Sequence, residues 1–164
     1  MKLKQVLSNA AVAATLLWAG IANAAWYQFT LTGDYSATWQ IDSATIPDEY
    51  GLGGGMLFYD VVGNYTGAVS ELADVTFYHA DVGGGLTLED YYGGSILVQT
   101  DGPQLYSGSE EAPSFLAGTY QLTEYQGPGA YTLTISAVPE PATYGMLLAG
   151  MGLVGFAVRR RQRQ

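Results

Sequence analysis

Very few side chains in this 164-residue sequence could do chemistry: one histidine, no cysteine and a scattered set of carboxylates. His79 ends the alternating run Val75-Thr76-Phe77-Tyr78-His79, and no Gly-x-Ser-x-Gly turn occurs, so any serine triad would have to form around this single imidazole. Zinc would need nitrogen or sulfur ligands that the chain does not possess. Asp74, Asp81, Glu89 and Asp90 fall near Tyr78, Tyr91 and Tyr92, a composition from which paired carboxylates could cleave a glycosidic bond. The same acids suit calcium better, because hard divalent cations take oxygen ligands and no Lys or Arg stands nearby to compete. Asp81, Glu89 and Asp90 are the first candidates for Ca2+, without the DxDxDG loop of an EF-hand. Within residues 25–138, twelve of the thirteen tyrosines, with Trp26 and Trp39, offer rings on which sugars could stack. In a small β domain such rings more often fill the core.

The charge distribution narrows the field further. Fifteen acidic residues stand against six basic ones, and the basic ones are Lys2, Lys4, Arg159, Arg160, Arg161 and Arg163. Residues 25–138 carry fourteen carboxylates and no Lys or Arg. A body of this kind has nothing with which to neutralise phosphate, which excludes nucleic acid and anionic membrane surfaces as its partners.

The two ends read as addresses. Residues 1–24 begin with two lysines, continue through Ala-Ala-Val-Ala-Ala-Thr-Leu-Leu-Trp-Ala-Gly-Ile-Ala and close on Ala22-Asn23-Ala24. This is the pattern of a secretory signal peptide, cleaved so that the mature chain starts at Ala25. At the other end Val138-Pro139-Glu140-Pro141 precedes the apolar residues 142–158, and an arginine cluster follows. At ~1.5 Å per residue those apolar residues make a helix just long enough to span a bilayer. The arginines, as a stop signal, would hold its far end in the cytoplasm. The preceding domain must then lie outside the cytoplasm, the topology that the signal peptide demands independently. Pro139 and Pro141 keep the approach extended, as a protease requires.

Val138-Pro139-Glu140-Pro141, a glycine-rich apolar helix and terminal arginines, in that order, resemble the PEP-CTERM sorting signal of exported bacterial proteins. Tails of this kind also carry the label of an ice-binding-protein C-terminal domain, which implies nothing about ice. The resemblance implies recognition by exosortase, a membrane protease of diderm bacteria that make exopolysaccharide. Cleavage near Pro-Glu-Pro would be followed by release or re-attachment at the outer surface. The precursor would be tethered to the inner membrane, facing the periplasm. No catalytic residue is carried over.

Residues 25–137 read as an acidic, Gly- and Tyr-rich β ectodomain, and residues 138–164 as the sorting signal. Alternation is clearest in Trp26–Thr32 and Ala130–Ser136, with shorter runs at Ser36–Ile41, Met56–Val62, Val75–His79, Ser95–Gln99 and Thr119–Tyr125. Short strands between frequent Gly, Pro and Asp clusters predict an all-β, antiparallel sandwich of Greek-key type. Gly53-Gly54-Gly55 with Asp60 and Gly63 recurs as Gly83-Gly84-Gly85 with Asp90 and Gly93, suggesting two related turns. These features together predict an exported, non-enzymatic surface or matrix protein associated with exopolysaccharide. The alternatives are a carbohydrate-binding module and, third, a carboxylate-based hydrolase.

Overall fold

The computed structural model describes residues 26–138 and residues 150–151. The expected signal peptide, Pro139–Pro141, the terminal arginines and all but Gly150 and Met151 of the expected sorting helix lie outside the described residues. Among the described residues no helix is long and apolar enough to cross a membrane.

Eleven strands follow one another in the body: β1 (Trp26–Gly33), β2 (Ala37–Asp42), β3 (Glu49–Gly51), β4 (Gly55–Tyr65), β5 (Leu72–Tyr78), β6 (Leu86–Asp90), β7 (Ile96–Asp101), β8 (Tyr106–Ser109), β9 (Ala112–Phe115), β10 (Gly118–Glu124) and β11 (Ala130–Val138). Their period-two patterns sort the faces as expected: Phe29 and Leu31 of β1 and Tyr131, Leu133 and Ile135 of β11 are buried, while Thr32, Thr134 and Ser136 are exposed.

The layer arrangement corrects the sandwich expectation. β1, β2, β4, β5, β6, β7, β10 and β11 pair antiparallel in that order, and β11 returns to β1 to close the ring. Neighbours in this series are neighbours in space all the way round, so the body is an up-and-down eight-stranded barrel without Greek-key crossings. Alternation looks the same in a sandwich and in a barrel. What decides between them is the pairing of the outermost strands: Trp26↔Val138 through Gly33↔Tyr131 on one side, and Ala37↔Tyr65 through Trp39↔Gly63 on the other. Closure leaves no wall strand with a free edge along its whole length. One wall strand, β6, has no counterpart among the predicted runs, because Leu86–Asp90 is short and sits between two glycine clusters.

The barrel interior is a packed core. The β8–β9 hairpin is inserted between β7 and β10 and delivers Leu105, Tyr106 and Phe115 to it, all buried. Phe115 meets Phe77 at 4.8 Å, Phe29 at 4.9 Å and Phe58 at 6.0 Å between ring centres. Phe29 in turn stacks on Trp39 at 5.1 Å. An eight-stranded barrel is narrow enough for side chains alone to fill it. Here side chains fill it, and the cleft at the β2–β4 seam lies in the outer wall.

The two rims differ. The rim at which the chain starts with Trp26 and leaves at Val138 also carries the long connections 43–54, 79–85 and 102–117, whereas the opposite rim has short turns. Glu110, buried in this rim, accepts hydrogen bonds from the Gly53 N–H (3.2 Å) and the Tyr106 hydroxyl (3.3 Å), tying the hairpin to the 43–54 connection. Both glycine triplets lie here and feed strands, β4 and β6, that run away from the rim. Asp90 holds the inward face that its spacing from the triplet dictates. Its counterpart Asp60 does not, because a bulge between Phe58 and Val61, with Asp60 at φ 55°, turns it outward.

Candidate functional site

The bulge of β4, which shifts its register against β5, lies beside the seam that β4 shares with β2 on its other edge. Their pairing covers only Ala37–Trp39 with Tyr65–Gly63; towards the long-loop rim the two strands diverge. A cleft of about 550 Å³ opens in the outer wall at this seam, within the size range of small-ligand sites. Its floor includes the buried residues Trp39, Phe58 and Val61, and its mouth carries Trp26 and Tyr59, 43% and 40% exposed. The Trp39 indole Nε1 is buried and has no hydrogen-bond partner among the described residues.

Fixed acceptors surround these rings. Asp42 takes the Ala44 N–H on Oδ1 at 2.8 Å, and Asp48 takes the Tyr59 N–H on Oδ2 at 2.8 Å. Among the described residues no donor reaches the second oxygen of either carboxylate. Gln40 donates through Nε2 to Gln28 Oε1 at 2.7 Å, and Gln28 donates through Nε2 to the Trp39 carbonyl at 3.0 Å. These bonds spend amide donors and leave the Gln40 carbonyl as an acceptor. The Tyr59 hydroxyl donates to Glu49 at 2.8 Å, a bond that, more than burial, holds its pKa above the ordinary value. Behind the bulge, Asp74 accepts the Asp60 N–H at 3.1 Å. Burial is the main influence that pushes its carboxyl above the usual range; this bond opposes the shift, and the charges of Asp60 and Asp48 add to it.

The expected calcium trio is not brought together. Asp81 lies on the 3-10 turn Ala80–Val82 at the long-loop rim. Glu89 and Asp90 are successive residues of β6 and so point to opposite faces of the wall. Asp90 is buried at the short-turn rim, where Oδ2 accepts the Val69 N–H at 2.9 Å and Oδ1 has no partner among the described residues. The nearby Tyr35 hydroxyl is likewise without a partner, and burial, then the Asp90 charge, pushes its pKa up to about 12. Among the described residues no group of three His, Cys, Asp or Glu side chains is placed to hold a metal ion. His79 caps the 3-10 turn: its Nδ1 accepts the Asp81 N–H at 3.1 Å, beside Asp81 Oδ2 at 3.3 Å.

Of the cleft residues, the sequence points to Trp26 and Trp39 as rings for sugars, and to Asp60 and Gly63 only as members of a glycine-rich repeat. The signal for Asp60 is local, a charge that interrupts the apolar run Met56–Val62, and nothing in the sequence groups it with Asp42, Asp48 and Tyr59.

The last two residues of β11, Ala137 and Val138, pair with Tyr27 and Trp26, and residues 137–161 match the family model described as the PEP-CTERM protein-sorting motif. The chain carries a PEP-CTERM sorting signal. Such a signal marks an exported precursor that exosortase processes. The PEP-CTERM segment begins within the barrel wall itself, so no spacer separates the folded body from Pro139. No curated protein and no solved structure matches the chain.

Proposed function

We propose that this protein is a non-enzymatic component of the bacterial cell surface or extracellular matrix, delivered there by exosortase and associated with exopolysaccharide. The observation that carries the reading is the PEP-CTERM signal joined directly to a compact acidic barrel. The barrel supplies a body built to persist outside the cell: its edges are closed, its interior is filled and its surface charge is of one sign, all of which oppose aggregation. The single imidazole is engaged in a turn, away from the cleft, which favours a role without turnover. The hydrolase alternative draws on Asp74, the one carboxyl in the body pushed upward. Replacing it with Asn leaves glycan chemistry unchanged if the protein only binds.

The test is intact mass and fractionation of the protein from cells with and without an exosortase. The expected result is loss of the C-terminal segment from Pro139 onward, with appearance in the matrix fraction, only when the protease is present. An unaltered C-terminus in both strains rejects the reading.

A further inference from the structure

We propose that the β2–β4 seam is a binding site for a neutral polysaccharide segment, held on Trp26 and Tyr59 and selected by Asp42, Asp48 and Asp60. The inference rests on the reading of the protein as a matrix component and names the part of the matrix that it grips.

Two properties of the cleft define the ligand. The first is shape and polarity: half-exposed aromatic rings at the mouth give flat apolar faces, onto which the C–H faces of a pyranose ring can pack while its rim of hydroxyls points outward. The second is the imbalance of hydrogen-bonding groups. Asp42 and Asp48 are each fixed by one backbone N–H and each keeps an oxygen for an incoming donor, while the Gln28 and Gln40 amides spend donors on the protein. A partner that fits must bring donors for these carboxylates and an acceptor for the unpartnered Trp39 Nε1–H, and a hydroxyl supplies both, as a polyol does at nearly every carbon. Hydroxyls bonded to ionised carboxylates make the stronger class of hydrogen bond, and carboxylates already held in place lose little freedom on binding.

Charge then separates one sugar class from another. Three carboxylates line the seam and the body has no Lys or Arg to offset them. Uronate-containing or sulfated chains are repelled, and neutral chains are not. A divalent cation is a poorer occupant, because among the described residues no three acids are close enough to share one. An extended peptide is a poorer occupant, because three unneutralised carboxylates and exposed rings favour a neutral partner with hydroxyls over most of its surface.

The probe is the producing cells' own exopolysaccharide, separated by anion exchange into neutral and uronate-containing fractions and titrated against the full-length protein in detergent. The expected result is binding of the neutral fraction, read as a blue shift of tryptophan emission and retardation in affinity electrophoresis, with no binding of the uronate fraction. Trp26→Ala and Tyr59→Ala should each weaken binding by about tenfold or more. Asp48→Asn retains an acceptor for the Tyr59 N–H and should weaken binding without lowering the melting temperature. Unchanged binding in the Trp26 and Tyr59 variants overturns the proposal, as does preference for the uronate fraction, binding abolished by EDTA, hydrolysis of the neutral chain, or failure to retain the neutral fraction. The mass of the processed chain is measured separately, so correct processing without retention rejects this site and leaves the exosortase reading standing.

Discussion

Gly63 shows how closely closure of the barrel is specified. It sits where β4 rejoins β2, and a Cβ there would lie 2.7 Å from the Thr38 carbonyl oxygen and 2.8 Å from both Trp39 Cβ and the Tyr65 ring. Gly63→Ala should therefore destabilise the body by about 1–3 kcal/mol, as overpacking does, seen as a lower denaturant midpoint with an unchanged slope. Two acids set opposite pH dependences. The carboxyl of Glu110 is held below its ordinary value near 4.5, first by its own backbone N–H, with the Gly53 N–H, the Tyr106 hydroxyl and His79 adding to this against a smaller opposing effect of burial. Its contribution to stability is complete above that value and is lost as the pH falls through the lower, folded-state pKa. Asp74, whose folded pKa is raised above 3.8, has the reverse sign: its ionisation opposes folding at neutral pH, and this cost disappears as the pH falls through the raised value towards 3.8. Urea melts between about pH 7 and pH 3 should show a shallower acid loss for Glu110→Gln and a steeper one for Asp74→Asn.

At the scale of elements, the β8–β9 hairpin acts as the stopper of the long-loop rim. Phe115 enters a cluster with Phe29, Phe58 and Phe77, and Glu110 fastens the hairpin to the neighbouring connection. Phe115→Ala should cost about 3–5 kcal/mol, because a ring-sized void would open in the centre of the barrel. Limited proteolysis of that variant should cut first in residues 102–117. A variant as stable as the wild type would show the hairpin to be an ornament on a core already complete without it.

At the scale of the whole molecule, fourteen carboxylates with no balancing Lys or Arg repel one another over the entire barrel surface. Screening this repulsion should raise the melting temperature of the protein by several degrees as sodium chloride goes from about 10 mM to about 500 mM, since the Debye length shrinks from ~30 Å to below ~8 Å. Calcium chloride at matched ionic strength should give the same rise, because Asp81, Glu89 and Asp90 are spread over both rims and both faces of the wall. A larger rise with calcium would reveal a cation site that the placement of these three acids does not provide.

The C-terminal sorting signal and the β character of the body are legible in the chain because each depends on local order. Pro139-Glu140-Pro141 before an apolar run and arginines is a linear message, and alternation such as Tyr27-Gln28-Phe29 fixes one buried face within a single strand. Closure into a barrel is another kind of fact. It requires Trp26 to meet Val138 and Trp39 to meet Gly63, contacts between residues distant in sequence that leave no periodic trace. The cleft is illegible for the same reason: Trp26, Asp42, Asp48 and Asp60 become neighbours only in the folded wall, where the pairing of β2 with β4 stops at Trp39 and Gly63. The sequence by itself determined that the protein carries a sorting signal and which faces of its strands are buried. Tertiary structure alone decided that the wall closes and where it stays open, because both depend on which distant strands pair and over what length.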